Sequence, residues 1–127
     1  MGTFISDTRS DLAERLTAAH EEGLTVYDYM PERMNVPCAI ILHGSPLLED
    51  GAVFGTVNLR FTVVLVPGVG SNDVNTAELT ALIETSVIAL HAGDFGTEIV
   101  SQPYMLSANG GTYLAADATV VTVTNIN

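Results

Sequence analysis

The sequence predicts an α+β fold: a mostly antiparallel sheet with two helices packed on one face, in the order α-β-β-β-α-β-β. Three observations predict it. Two segments repeat apolar residues at helical spacing, while the others alternate or run apolar at strand length. Several links between the strand segments are too short for the crossovers that parallel pairing requires. The 127 residues suit a single domain around one core, and no repeat, low-complexity tract or linker divides them.

The first helix is expected from Ser6 to about Glu22. Ser6 or Asp7 can cap it, and Asp7 and Asp11 suit the positive end of the helix dipole. Leu12, Leu16 and Ala19 form its apolar stripe, Phe4 and Ile5 staple its start to the core, and Gly23 stops it. Leu24–Tyr29 reads as a short alternating strand, followed by a loop over Met30–Asn35. Val36–Leu42 is a continuous apolar run and is expected to be a central strand. His43-Gly-Ser-Pro46 reads as a turn and Leu47–Gly51 as an acidic connection.

The longest strand is expected over about Val53–Val66. Val57, Leu59, Phe61, Val63 and Leu65 alternate there with Asn58, Arg60, Thr62, Val64 and Val66, so one face meets the core and the other is more polar. Pro67–Asn72 ends it as a loop. The second helix is expected from Asn75 to Ala92, opened by Asn75 and Glu78 in a near capping box and closed by Gly93. Its stripe of Leu79, Leu82, Ile83, Val87 and Leu90 is the strongest helical signal in the chain. Two last strands, about Thr97–Leu106 and Thr112–Asn125, are joined by a hairpin around Asn109-Gly110.

Composition narrows the function. The chain has fifteen acids, four arginines and no lysine, a net charge of −11. Gripping DNA or RNA needs a basic footprint, and so does holding an anionic membrane; both are disfavoured. Charged residues are 15% of the chain, below the roughly 25% usual in globular domains. With a positive mean hydropathy, this suggests that more than the domain's own core is covered, and subunit contacts are one way to cover it. Cys38 is the one cysteine and reads as a buried, inert thiol. No signal peptide or membrane span is expected, since the longest apolar stretches are strand-sized, and the chain reads as cytosolic when made.

No catalytic, metal or cofactor site is expected. His20 and His91 fall in last helical turns, where the dipole favours them, and no metal-ligand spacing links the histidines. His43-Gly-Ser45 sets a base beside a nucleophile, yet a G-x-S-x-G elbow is absent and sequence neighbours rarely face each other correctly. Gly68-Val-Gly70-Ser71 lacks the lysine of a phosphate loop. Arg60 is the one charge inside the long strand. It reads as a solvent-facing residue or, more sharply, as half of an ion pair between subunits, with Asp117 as the candidate partner.

Three stretches carry a resemblance. The chain opens with Phe4-Ile-Ser-Asp-Thr-Arg-Ser-Asp-Leu-Ala-Glu-Arg-Leu16, then Val26-Tyr-Asp-Tyr-Met-Pro31. Its middle is Pro37-Cys-Ala-Ile-Ile-Leu-His-Gly-Ser-Pro46, then Gly55-Thr-Val-Asn-Leu-Arg-Phe-Thr-Val-Val-Leu-Val66. The helical run from Asn72 through Leu90 and Val100-Ser-Gln-Pro-Tyr104 follow. In pattern and order, over nearly the full length, the chain resembles the tail terminator (tail-completion) proteins of long-tailed bacteriophages, particularly those infecting actinobacteria.

That resemblance implies a structural virion protein with no enzymatic activity and no cofactor. Such a protein forms a ring, usually a hexamer, on the head-proximal end of the tail tube, stops tube polymerisation and joins the tail to the neck. The implied partners are other copies of the chain, the tail tube protein and a head–tail connector or stopper protein. DNA passes through the channel without specific binding, repelled by acids around it, and no membrane is involved. The ring is located in the virion and assembled in the host cytoplasm. Contact surfaces with other subunits or the tube are expected at Asn58, Arg60 and Thr62 on the long strand, at Asn72 and Asp73 after it, and at Asp117 on the last strand. Other readings are another neck ring protein (a head–tail stopper or head-completion protein), a small hydrolase built on His43 and Ser45, or a monomeric binding module.

Overall fold

The computed structural model of the protein describes residues 4–20, 23–29, 31–33, 35–67, 73–93, 95–108 and 111–125. Two helices, α1 (Phe4–Ala19) and α2 (Asp73–Ala92), accompany six strands: β1 (Thr25–Tyr27), β2 (Cys38–Asp50), β3 (Thr56–Val66), β4 (Gly96–Val100), β5 (Tyr104–Ala108) and β6 (Gly111–Asn125). The sheet order is β1-β2-β3-β6-β4, with β5 on the free stretch of β6. The α+β class and the antiparallel sheet are as the sequence predicts. The strand expected over 97–106 is divided at Ser101–Pro103, which adds one strand to the expected order.

Both helices cover one sheet face. The odd-numbered residues Leu59, Phe61, Val63 and Leu65 of β3 meet Leu12 and Leu16 of α1 and Leu79, Leu82 and Leu90 of α2 in one cluster. Phe61 lies at its centre, fully buried, and sits opposite Val120 of β6. Truncating such a side chain to alanine costs about 3–5 kcal/mol. Leu79, Leu82 and Leu90 of the stripe read from the sequence are therefore the sheet-facing side of α2, with Ile83 packed at the margin and Val87 half-buried outside this cluster.

The helix starts differ from expectation. α1 begins at Phe4, so Ser6 and Asp7 lie inside its first turns rather than at a cap, and Phe4 stays exposed while Ile5 packs on the core. The hydroxyl of Thr8 donates to the carbonyl oxygen of Phe4 at 2.6 Å, fastening that first turn. α2 likewise begins at Asp73, two residues before the expected cap, and Asn75 is buried inside it. α2 ends at Ala92 as expected, with the amides of Gly93 and Phe95 both donating to the Leu90 carbonyl, whereas α1 stops at Ala19, short of the expected Glu22, and the Gly23 amide donates to the His20 carbonyl in a turn with φ of 102°.

Strand β2 overturns the turn expected at His43–Pro46. It runs through that segment as far as Asp50, and the hairpin reverses later, at 51–55. Register explains the proline: His43 pairs with Phe61, but the next matched pair is Leu48 with Leu59, so a bulge absorbs the extra residues of β2. Pro46 falls inside that irregularity, where a missing amide breaks no ladder hydrogen bond. β1 also departs from the general rule, pairing parallel to β2 over Thr25–Tyr27.

A second core lies on the sheet face away from the helices, at one end only. Cys38, Ile40, Val64, Val66, Tyr113 and Ala115 gather there, with Tyr27, Tyr104 and Leu106 packed against them. The antiparallel β5–β6 hairpin supplies Tyr104, Leu106 and Tyr113 to this cluster. Along β3 the alternation of buried and half-exposed residues accordingly gives way to continuous burial from Val63 to Val66. Val64 and Val66, assigned by alternation to the more polar face, are thus core residues.

Candidate subunit interface

The rest of that second face is open. Asn58, Arg60 and Thr62 alternate along β3, and their cross-strand partners on β6 are Val123, Val121 and Thr119. Asn58 and Thr62 are partly exposed and the Arg60 side chain keeps 12% of its surface open, while Val123 is 64% and Ile99 of β4 is 65% exposed. The face mixes short polar side chains with bare aliphatic ones, a composition suited to contact with another protein.

Arg60 is fixed within its own chain. Its Nε donates to Glu98 Oε1 at 2.5 Å and its Nη2 to Glu98 Oε2 at 3.1 Å, a two-pronged fork onto one carboxylate. Nη2 also meets Glu49 Oε1 at 3.2 Å, and Nη1 reaches the Pro46 carbonyl at 3.4 Å. The arginine therefore ties β2, β3 and β4 together across the face, reaching over β6. Glu98 comes within range because β4 bulges between Thr97 and Ile99. These bonds, first to Glu98 and then to Glu49, raise the guanidinium pKa further, and the bond to Arg60 holds the Glu98 carboxyl below the usual carboxylate range.

Asp117 does not partner Arg60. It lies opposite Val64, four residues along β3 from Arg60, a separation of about 13 Å at the usual rise per residue. Asp117 instead accepts a 2.6 Å hydrogen bond from the Tyr104 hydroxyl, while its amide donates to the Ser101 hydroxyl at 2.9 Å. The Ser101 amide donates to the Asp117 carbonyl at 2.8 Å. The group thus pins the break between β4 and β5. Burial, and then the bond to Asp117, push the Tyr104 phenol well above its ordinary value.

Four of the six expected interface residues, Asn58, Arg60, Thr62 and Asp117, therefore share one sheet face. Asn72 lies outside the described residues. Asp73 opens α2, in the layer on the opposite side of the sheet, and its side chain lies outside what is described. Glu49, Glu98, Ile99 and Val123 were not singled out by sequence reasoning. Their signal is faint: a lone acid amid Gly96–Val100 and one more valine in an alternating run.

His43 sits exposed on β2, and the side chain of Ser45 lies outside what is described. His20 closes α1, and its Nε2 lies 2.9 Å from the Ser86 hydroxyl of α2. Burial lowers its pKa. Beside it opens a cleft of about 610 Å³ between the two helices and the Pro37 and Pro67 end of the sheet, with Leu24 and Leu82 in its walls. Cys38 is buried in the second core, and burial pushes its thiol up to about 11, the behaviour of an inert side chain. Among the described residues no group of three His, Cys, Asp or Glu is placed to hold a metal ion, and no helix is long and apolar enough to cross a membrane. A scan against protein-family models finds none that matches this chain, and a search of curated proteins finds no match either.

Proposed function

We propose that this chain is a structural ring subunit that caps the head-proximal end of a phage tail tube, halts tube growth and joins the tail to the neck. One observation carries the subunit reading. An ordered sheet face leaves Ile99 and Val123 bare beside an arginine already locked by two acids, in a molecule poor in charged residues. Arg60 stiffens this face without needing a partner, and the bare aliphatic side chains gain from being covered. The assignment to the tail rests on the order and pattern of segments that resemble terminator proteins. Its mechanism is steric: complementary surfaces bind the last tube ring, and no bond is made or broken.

Light scattering over a range of concentrations, with electron microscopy of the same samples, tests this with and without purified tube protein. A closed ring near six subunits, alone or on tube ends, and tubes that stop growing are the expected results. A chain that stays monomeric in both settings while tubes lengthen unchecked defeats the proposal. Binding to the head–tail connector and not to the tube moves the role to a stopper.

A further inference from the structure

The β2–β3 hairpin reverses through Gly51-Ala-Val-Phe-Gly55, and at its tip Phe54 is 99% and Val53 68% exposed. The turn beneath them is nonetheless built. The Gly51 amide donates to the Thr56 carbonyl at 2.9 Å, and both the amide and the hydroxyl of Thr56 donate to the Val53 carbonyl. Gly55 takes a φ of 87°, a region that a side chain disfavours. None of these bonds uses the phenyl ring, so the turn presents Phe54 without depending on it. A ring held out in this way forfeits the cover of on the order of 150–250 Å² that a buried aromatic side chain gains.

Carboxylates flank the ring on both sides. Glu49 pairs with Asn58 and Asp50 with Val57 in the last two rungs of the hairpin, so their side chains point to opposite sheet faces. Both residues are exposed. Glu49 is shared with Arg60 at 3.2 Å, while Asp50 adjoins the turn and is the outermost charge of the hairpin. An exposed aromatic ring between two acids matches a pocket that is apolar at its floor and basic at its rim. A membrane surface does not fit, since anionic headgroups repel a chain of −11. A second copy does not fit either. It brings fifteen acids, four arginines and no lysine, and Arg60 is already held by Glu98 and Glu49. The charge selects a different, basic protein, and the field of the whole acidic chain draws that protein in.

We infer that Phe54, with Val53 beside it, docks into an apolar pocket rimmed by lysine or arginine on the tail tube protein, where Asp50 and Glu49 meet the rim on either face of the hairpin. This rests on the ring reading above and names the part of each subunit that grips the tube. An aromatic anchor in a pocket is the usual form of an energetic hot spot. The acids beside it contribute rate and salt dependence more than affinity.

The test measures binding of the wild type and two variants to purified tube protein as salt rises, with light scattering of each chain alone. Wild-type affinity is expected to fall with salt, because the rim contact joins opposite charges. Phe54→Ser is expected to bind at least about 30-fold more weakly, while its mass in solution, circular-dichroism spectrum and Tm stay those of the wild type. Asp50→Asn is expected to bind about 2–5-fold more weakly with a shallower salt dependence, the size usual for an exposed ion pair. F54S that caps tubes like the wild type, or wild-type binding indifferent to salt, overturns the inference and leaves the ring reading standing. Loss of self-association in F54S assigns the tip to a second copy, and loss of connector binding alone assigns it to the connector; either overturns tube docking. Wild-type protein that forms no ring and binds no tube overturns both readings.

Discussion

A β-carbon on Gly44 would stand 2.6 Å from the carbonyl oxygen of Arg60 and 2.7 Å from its Cγ. The bulge in β2 thus folds down onto the strand that carries the arginine, and only a residue without a side chain fits. Gly44→Ala is expected to destabilise the fold by about 1–3 kcal/mol, the usual cost of forcing extra atoms into a filled site. Urea denaturation at neutral pH measures it, and a loss below a few tenths of a kcal/mol would show that the bulge can move aside.

The fork from Arg60 to Glu98 predicts an acid-side loss of stability. Because the Glu98 carboxyl is held below its unfolded value, the folded state binds fewer protons than the unfolded state. The contribution is fully present above about pH 4.3, the unfolded value, and is lost as pH falls through the lower folded value. Wild type should therefore exceed Glu98→Gln in stability at pH 7, with the gap closing as pH falls through the lowered folded value. A gap independent of pH rules the ion pair out as its source.

Tyr104 and Asp117 give the opposite dependence. The phenol is raised in the folded state, so its contribution is intact below about pH 10 and disappears as pH rises through the higher folded value. Tyr104→Phe leaves a half-buried carboxylate short of its donor and should cost about 1–2 kcal/mol at pH 7. Chemical denaturation gives the cost. In an ultraviolet titration, the wild-type minus variant difference should develop above the ordinary tyrosine range.

His20 links the end of α1 to the middle of α2 through Ser86, and burial lowers its pKa. The unfolded chain then binds the proton more readily, so stability is present above about pH 6.5 and falls as pH drops through the folded value. Proton NMR should place this imidazole below 6.5. Ser86→Ala, which removes its buried partner, should cost about 1 kcal/mol.

The helical stripes and the alternation along β3 were legible because burial on one face leaves a period in the sequence, as Leu79, Leu82 and Leu90 or Leu59, Phe61 and Val63 show. Local turn chemistry misled where tertiary contacts decided. Gly44 and Pro46 look like a turn, yet they mark a bulge set by the closeness of Arg60. The second core left a trace in Val64, Val66 and the unbroken run Cys38–Leu42, since a strand covered on both faces loses its alternation. On the open sheet face, the alternation located the outward residues of β3. It could not pair Arg60 with Glu98, because that contact depends on a one-residue irregularity in β4.

The hairpin that shelters Cys38 and Ile40 makes β3 two different strands in one. From Val63 to Val66 it lies between two apolar layers, whereas Asn58, Arg60 and Thr62 have cover on one side alone. Amide hydrogen exchange along this strand should then run as a gradient, slowest near Val64–Val66 and fastest towards Thr56. Opening would begin at the Thr56 end and stop at the doubly covered end. The surface on the singly covered half thus takes its firmness from Arg60 and its two carboxylates, where the other half takes it from a second apolar layer.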